Sequence, residues 1–185
     1  METRQNGSVE TAPVLCYDST VNEEARQIVD RMGLQPLPIE GGYFARTWTG
    51  RPAGPGMRET GSAILFLITP EDRSSLHRIQ TDEIWHFYSG DPVEHIQLDP
   101  GDGSARRTLL GSALIAGHFP QLVVHGGVWQ AARTWRASRG WSLLGCTLAP
   151  AWDDGEFELA DPLALAREFP AWSRWLEDMK PLPPD

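Results

Sequence analysis

From Pro36 to about Leu159 the sequence is a succession of short apolar runs broken by Gly, Pro and Asp, a rhythm that few folds can accommodate. Strands are predicted at 43–47, 62–69, 74–79, 84–88, 94–98, 107–110, 122–124, 128–132, 142–148 and 156–159. Such regular spacing predicts an all-β fold that is closed or double-sheeted. The turns at 51–56, 99–103 and 152–155 carry Gly, Pro and Asp, which supply or fix the φ a turn needs, and they are read as loops without chemistry.

Helical spacing flanks this region. Residues 1–18 lack periodicity and are expected to be a flexible leader, followed by one domain over 19–170 and a helical tail over 171–185. Thr20-Val21-Asn22-Glu23 has the order of a capping box with Thr20 as cap, and Val21, Ala25, Ile28, Val29 and Met32 repeat at helical spacing up to a stop at Gly33. That helix has one apolar face and is expected on the outside of the sheet. Leu163, Leu165, Ala166 and Phe169 make a second helical stretch, and Pro170 opens a third through Trp172, Trp175 and Leu176.

Composition narrows the partners. Sixteen Lys and Arg against 25 Asp and Glu give a net charge of -9, which repels phosphate backbones, so nucleic acid is not an expected partner. No apolar run approaches the ~20 residues that span a bilayer, and the N-terminus lacks the basic-then-apolar order of a secretion signal. No membrane partner and a cytoplasmic location are therefore expected. Cys16 and Cys146 lack metal-site spacing; a bridge between them has no support, and Cys146, in an apolar run, is read as inert core rather than as a nucleophile.

The stretch from His77 through Glu83 to Gly90, with Gly127-Val128-Trp129-Gln130 further on, resembles the two signature motifs of the cupins. Ile79 stands where that family has its second His, and Gln130 where it has the ligand His of the second motif. Within the cupins the chain resembles a small branch, cupin family five. The likeness lies at Glu40-Gly41-Gly42-Tyr43-Phe44, at Asp82-Glu83-Ile84-Trp85-His86-Phe87-Tyr88-Ser89-Gly90-Asp91-Pro92, at Gly127 to Ala132, and at Leu144 to Pro150. The chain departs from that branch at Pro38-Ile39, at Ala45-Arg46-Thr47 and at His125. The resemblance implies a double-stranded β-helix, the jelly-roll barrel, usually as a homodimer. It implies no single reaction, because the fold carries epimerases, isomerases, decarboxylases, dioxygenases and binders.

Strand alternation puts His77 and Ile79 on one face and Arg78 on the other, Glu83 with Trp85 and Phe87, and Gln130 with Val128 and Ala132, leaving Trp129 outward. His77, Glu83 and Gln130 are a poor metal cage, so no cofactor is expected; a divalent metal on these three residues is the alternative. An imidazole beside a carboxylate in a partly apolar barrel suits proton transfer, with His77 as base and Glu83 as its partner. Gln130, Trp85, Tyr43, Glu40, Arg78 and His125 are candidate ligand-binding residues. Each has a plainer reading. His77 and Glu83 would be a buried hydrogen-bonded pair, Trp85 and Trp129 core, Arg78 a partner of Asp82, and the glycines beside Glu40 and Tyr43 only a bend. His95, beside Glu94 and Gln97, is expected at the surface.

The function expected is binding of a small sugar-like or carbonyl compound, with metal-independent epimerase, isomerase or dehydratase chemistry. A metal-dependent decarboxylase or dioxygenase and a non-catalytic binder are the alternatives.

Overall fold

The computed structural model describes residues 22–179. Eleven strands form two antiparallel sheets. The first contains, in spatial order, β1 (Gln35–Pro36), β2 (Tyr43–Thr49), β3 (Ser62–Ile68), β10 (Ser142–Leu148), β5 (Glu83–Gly90) and β8 (Gln121–Val124). The second contains β11 (Glu158–Leu159), β4 (Ser74–Arg78), β9 (Trp129–Thr134), β6 (Val93–Leu98) and β7 (Ala105–Leu110). Phe66, Trp85, Leu122 and Leu144 from the first sheet meet Val93, Leu110 and Ala132 from the second in one buried cluster, the interior of a jelly roll. Every predicted strand is present, 142–148 with its ends as expected and the others with ends shifted, the last shrinking to Glu158–Leu159 behind a 3-10 turn at Asp154–Glu156. The pair Gln35–Pro36 and a 3-10 turn at Leu114–Ala116 have no counterpart in the prediction.

Helix α1 (Glu23–Met32) begins two residues later than the capping box suggests. Its cap is Asn22, whose Oδ1 accepts from the Ala25 amide at 2.8 Å; Thr20 and the leader lie outside the described residues. Ala25 and Val29 pack with Leu34, Tyr43, Leu67, Trp141 and Leu143 on the outer face of the first sheet. Gly33 stops the helix at φ 63°, in the left-handed region.

The C-terminal segments α2 (Pro162–Glu168) and α3 (Ser173–Asp178) cover the outer face of the second sheet. Leu165, Phe169, Trp175 and Leu176 bury Leu76, Ile96, Leu98, Trp129 and Ala131 there. Trp129 thus faces away from the interior, as alternation requires, yet it is core, and the Arg78 guanidinium lies 4.3 Å from its ring centroid. Glu94 on the same face accepts from Arg107, from Arg133 Nε at 2.7 Å and from Trp175 Nε1 at 2.8 Å, which fastens α3 to the sheet. With helices outside and barrel inside, β6 is buried on both faces.

Gly90-Asp91 closes the connection between β9 and β10. The Asp91 carboxylate accepts from the Ser138 amide at 3.0 Å, the Ser138 hydroxyl at 2.9 Å, the Arg139 amide at 2.9 Å and the Gly140 amide at 2.7 Å. Burial raises its pKa, but the amides of Arg139, Ser138 and Gly140 and the Ser138 hydroxyl outweigh that and hold it below the usual Asp value. Asp91→Ala strands these donors and is expected to cost about 3 kcal/mol, lowering Tm by roughly 6–12 °C in a thermal melt. Because the folded pKa is depressed, the wild-type contribution is fully present above the unfolded Asp value of about 4 and disappears as pH falls through the lower folded value. The difference in Tm between the two proteins should therefore shrink only in strong acid.

Candidate functional site in the barrel interior

A β-bulge sets up the site. Along β4 and β9, Ser74 pairs with Ala132 and His77 with Gln130, so three steps on one strand match two on the other. Plain alternation would put Ser74 and His77 on opposite faces; the extra residue turns both inward. The bulge also brings the Ser75 carbonyl to His77 Nδ1 at 2.8 Å. A carbonyl only accepts, so Nδ1 carries a proton, and Nε2 is the nitrogen that can offer a lone pair. Phe157 stacks on the ring with centroids 5.2 Å apart. His77 is 1% exposed, and its Nε2 makes no hydrogen bond among the described residues.

Glu83 enters from the opposite sheet. Its Oε2 accepts from Gln130 Nε2 at 2.6 Å and Trp85 Nε1 at 3.1 Å. Gln130 Oε1 in turn accepts from Trp85 Nε1 at 3.0 Å and His95 Nε2 at 3.2 Å. Burial pushes the Glu83 carboxyl above the usual range; His77 opposes the rise, Glu40 adds to it, and the bonds from Gln130 and Trp85 oppose it without cancelling it. Burial drives the His95 imidazole down to about 3 against the bond to Gln130, with His77 adding to the fall, so this ring is neutral. Cys146 faces the same interior. Burial, the charges of Glu83 and Glu40 and a hydrogen bond with Glu83 raise its pKa well above the usual thiol value, which leaves a protonated, unreactive sulfur as the sequence suggested.

Glu40 reaches the interior from the loop before β2, where its Oε1 accepts from the Ser74 hydroxyl at 2.7 Å. The following glycines permit this. A Cβ on Gly41, at φ 102°, would lie 2.2 Å from the Arg73 carbonyl, and one on Gly42, at φ 74°, 2.7 Å from that of Leu67. The glycine pair is therefore more than a bend, because it seats a carboxylate within electrostatic reach of Glu83.

The structure thus brings Glu40, His77, Glu83, Trp85 and Gln130 together. It places the other candidates elsewhere. No hydrogen bond joins His77 to Glu83, because the Ser75 carbonyl orients the ring and the carboxylate is taken by Gln130 and Trp85. Tyr43 lies under α1 on the outer face of the first sheet. Arg78 faces outward and pairs with Glu158 at 2.6 Å instead of Asp82. His125, with its side chain 77% exposed, sits 3.4 Å from Asp82 at the surface. His86 and Tyr88 stack on each other outside the barrel. His95, expected at the surface, is fully buried against Trp85 with ring centroids 4.9 Å apart. Its neighbour Glu94 hid it: a charged residue signals solvent unless a later helix supplies its partners.

Two clefts open on the surface beside this interior. One, of about 300 Å³, lies between the Gly41 loop and the C-terminal helices, lined by Pro38, Asp72, Ser75, Leu159 and Pro162. The other, of about 330 Å³, lies at the open edge between β7 and β8. Neither cleft is lined by His77 or Glu83.

As arranged, the interior residues do not fit a metal ion. The Gln130 oxygen, the Glu83 Oε2 and the His95 Nε2 are directed at one another through hydrogen bonds. Among the described residues no three His, Cys, Asp or Glu side chains converge as a cation site.

Two facing antiparallel sheets around an imidazole, a carboxylate and an amide at these strand positions define a cupin. The chain belongs to the family described as Cupin superfamily (DUF985), whose profile matches residues 26–160. Among solved structures it is similar to a protein of Shewanella oneidensis, with 27% identity, a TM-score of 0.76 and coverage of 84% of this chain and 96% of that one. A hypothetical protein from Leishmania major shares 29% identity at TM-score 0.73, covering 84% and 97%. A cupin-2 domain from Rhodospirillum rubrum, 15% identical at TM-score 0.52 over 80% and 90%, shares the fold. No match was found among curated proteins. Among the described residues no helix is long and apolar enough to cross a membrane.

Gln130→Leu removes the 2.6 Å donor of Glu83 and the acceptor of His95, and a loss of about 2–4 kcal/mol is expected in urea unfolding. Glu83→Gln tests the raised carboxyl. Its folded pKa lies above the unfolded value, so ionisation penalises the wild type as pH rises from about 4.3 through the folded value. The stability of Glu83→Gln relative to wild type should therefore improve with pH over that window.

Proposed function

We propose that the chain binds a small carbonyl-containing or sugar-like molecule inside the barrel and acts on it by metal-independent acid–base catalysis of epimerase, isomerase or dehydratase type. One observation carries this reading: His77 Nδ1 is committed to the Ser75 carbonyl, which leaves Nε2 as a free base within electrostatic reach of a carboxyl that burial biases toward its neutral form. Groups whose environments assign one a lone pair and the other a proton are suited to base and acid.

In the proposed step, Nε2 of His77 takes a proton from the carbon next to the carbonyl. The C–H electron pair forms a C=C bond as the C=O π pair moves to oxygen, which takes the proton of Glu83. For the isomer of a 2-hydroxy carbonyl compound, His77 returns its proton to the former carbonyl carbon and Glu83 recovers one from the adjacent hydroxyl as its C=O forms; for the epimer, solvent protonates the first carbon from the other face, the oxygen returns its proton to Glu83 as C=O re-forms, and His77 releases its proton to solvent. Glu40 lies close enough to modulate the Glu83 charge, and Trp85 with Gln130 fixes which Glu83 oxygen is occupied.

A non-catalytic binder is the second reading, favoured by the near-complete burial of His77 and Glu83 and by clefts lined by other residues. Isotope exchange separates the two. Aldoses, ketoses and 2-keto acids incubated with the protein in deuterated water should gain deuterium next to the carbonyl, and His77→Ala should slow this by about 10²–10⁴-fold. The rate should fall as pH rises through the Glu83 pKa, since the acid form is lost. Exchange that is absent in wild type, or unchanged in His77→Ala, refutes the catalytic reading.

A further inference from the structure

We propose that the cleft at the open edge between the sheets is a subsite for the tail of the ligand, that it takes a short hydroxylated anion, and that His95 reads the hydroxyl. The cleft is lined by Gln97, Arg106, Thr108, Phe119, Gln121 and His125, among others; His95 is not itself in the lining but is fully buried as the cross-strand partner of Thr108, which is. On β6 and β7, His95 pairs with Thr108 and Gln97 with Arg106, so the two pairs stand side by side on the inward face.

The inner end needs a donor. Gln130 Nε2 is committed to Glu83, so its amide oxygen faces His95, and His95 must donate through Nε2. The proton is then on Nε2, and Nδ1 is an acceptor. That Nδ1 is buried and has no partner among the described residues. A buried acceptor left without a donor costs about 1–3 kcal/mol, and a ligand hydroxyl beside the Thr108 side chain recovers it.

The outer end needs an anion. Arg106 is exposed and makes no hydrogen bond or ion pair among the described residues, unlike Arg107 beside it, which is held by Glu94. A free guanidinium offers paired donors that match phosphate or carboxylate. In a chain of net charge -9, an uncompensated cation lining a cleft marks a place where an anion is favoured. Positions two apart on a strand are about 7 Å apart, which sets the separation between hydroxyl and anion before the Arg stem adds reach. Gln97 spans the edge below them, donating from Nε2 to the Val123 carbonyl at 2.9 Å.

Across the sheet order β4-β9-β6-β7, three strand spacings, roughly 14 Å, separate Arg106 from His77. A ligand that meets both is extended, with its reacting carbon near His77 and its anionic tail in the cleft. This part of the inference rests on the barrel being the ligand cavity; occupancy of the cleft does not require turnover.

The test is a titration of the full chain, labelled with ¹⁵N-histidine, with sn-glycerol 3-phosphate, glycerate, glycerol and inorganic phosphate. Glycerol 3-phosphate or glycerate should move the His95 Nδ1 resonance from its free-acceptor position toward the hydrogen-bonded one. Arg106→Gln should weaken that binding by about tenfold or more, and Thr108→Val less. Whichever of the two compounds binds more tightly identifies the anion as phosphate or carboxylate. The same shift in His77→Ala, where isotope exchange is lost, supports the tail subsite independently of the catalytic reading. A His95 resonance that is already hydrogen-bonded without ligand and unmoved by any probe assigns its partner as a buried water and overturns the proposal. So does phosphate binding at Arg106 that leaves His95 unchanged, or a response insensitive to Arg106→Gln.

Discussion

The interior of this barrel is organised around a buried carboxyl group that is satisfied by an amide and an indole. Glu83 is buried beside Trp85, Gln130 and Cys146, where an unsolvated charge would be costly. Gln130 answers with an N–H at 2.6 Å and Trp85 with a second. Once the Gln130 amide is turned that way, its oxygen faces the other direction and dictates the tautomer of His95. The polarity of one side chain therefore propagates through an amide to a histidine on the neighbouring strand and fixes its tautomer.

The same logic explains which parts of the family motif serve the interior and which serve the frame. In the run from Asp82 to Pro92, Glu83 and Trp85 point inward, and His86 and Tyr88 form a stacked pair outside. Gly90 and Asp91 belong to neither face. Asp91 gathers the amides of Ser138, Arg139 and Gly140 and anchors the connection into β10, the strand that lies between β3 and β5. The glycines after Glu40 act in a comparable way, since only a residue without Cβ lets that loop pass against the Arg73 and Leu67 carbonyls.

Strand positions were legible because a half-buried strand writes its faces into alternating residue types, and Glu83, Trp85, Val128 and Gln130 fell where alternation placed them. Alternation fails where both faces are buried. On β6 it could not separate His95, which faces the barrel, from Glu94, which faces helix α3, because the partners of Glu94 include Trp175, some eighty residues later. It fails again at the β4 bulge, where Ser74 and His77 share a face despite their odd spacing. Tyr43 and His125 were misplaced for a simpler reason: a motif's position along the chain does not say which side of the sheet a flanking residue takes. The metal question lay in between. The loss of His at positions 79 and 130 was visible in the sequence, whereas the hydrogen bonds that occupy the remaining donors were not.

The family and fold establish a cupin; inside it Glu83, Trp85, Gln130 and His95 form one hydrogen-bonded arrangement. An isotope-edited infrared titration of Glu83, with Glu83→Gln as the reference that removes its band, addresses that arrangement directly. The protonated carboxyl stretch should persist to a pH above the ordinary glutamate range and weaken only beyond it, with Gln130→Leu shifting the transition further upward. A Glu83 that ionises at or below the ordinary glutamate value would contradict the account, since an amide and an indole alone could not then be what satisfies it.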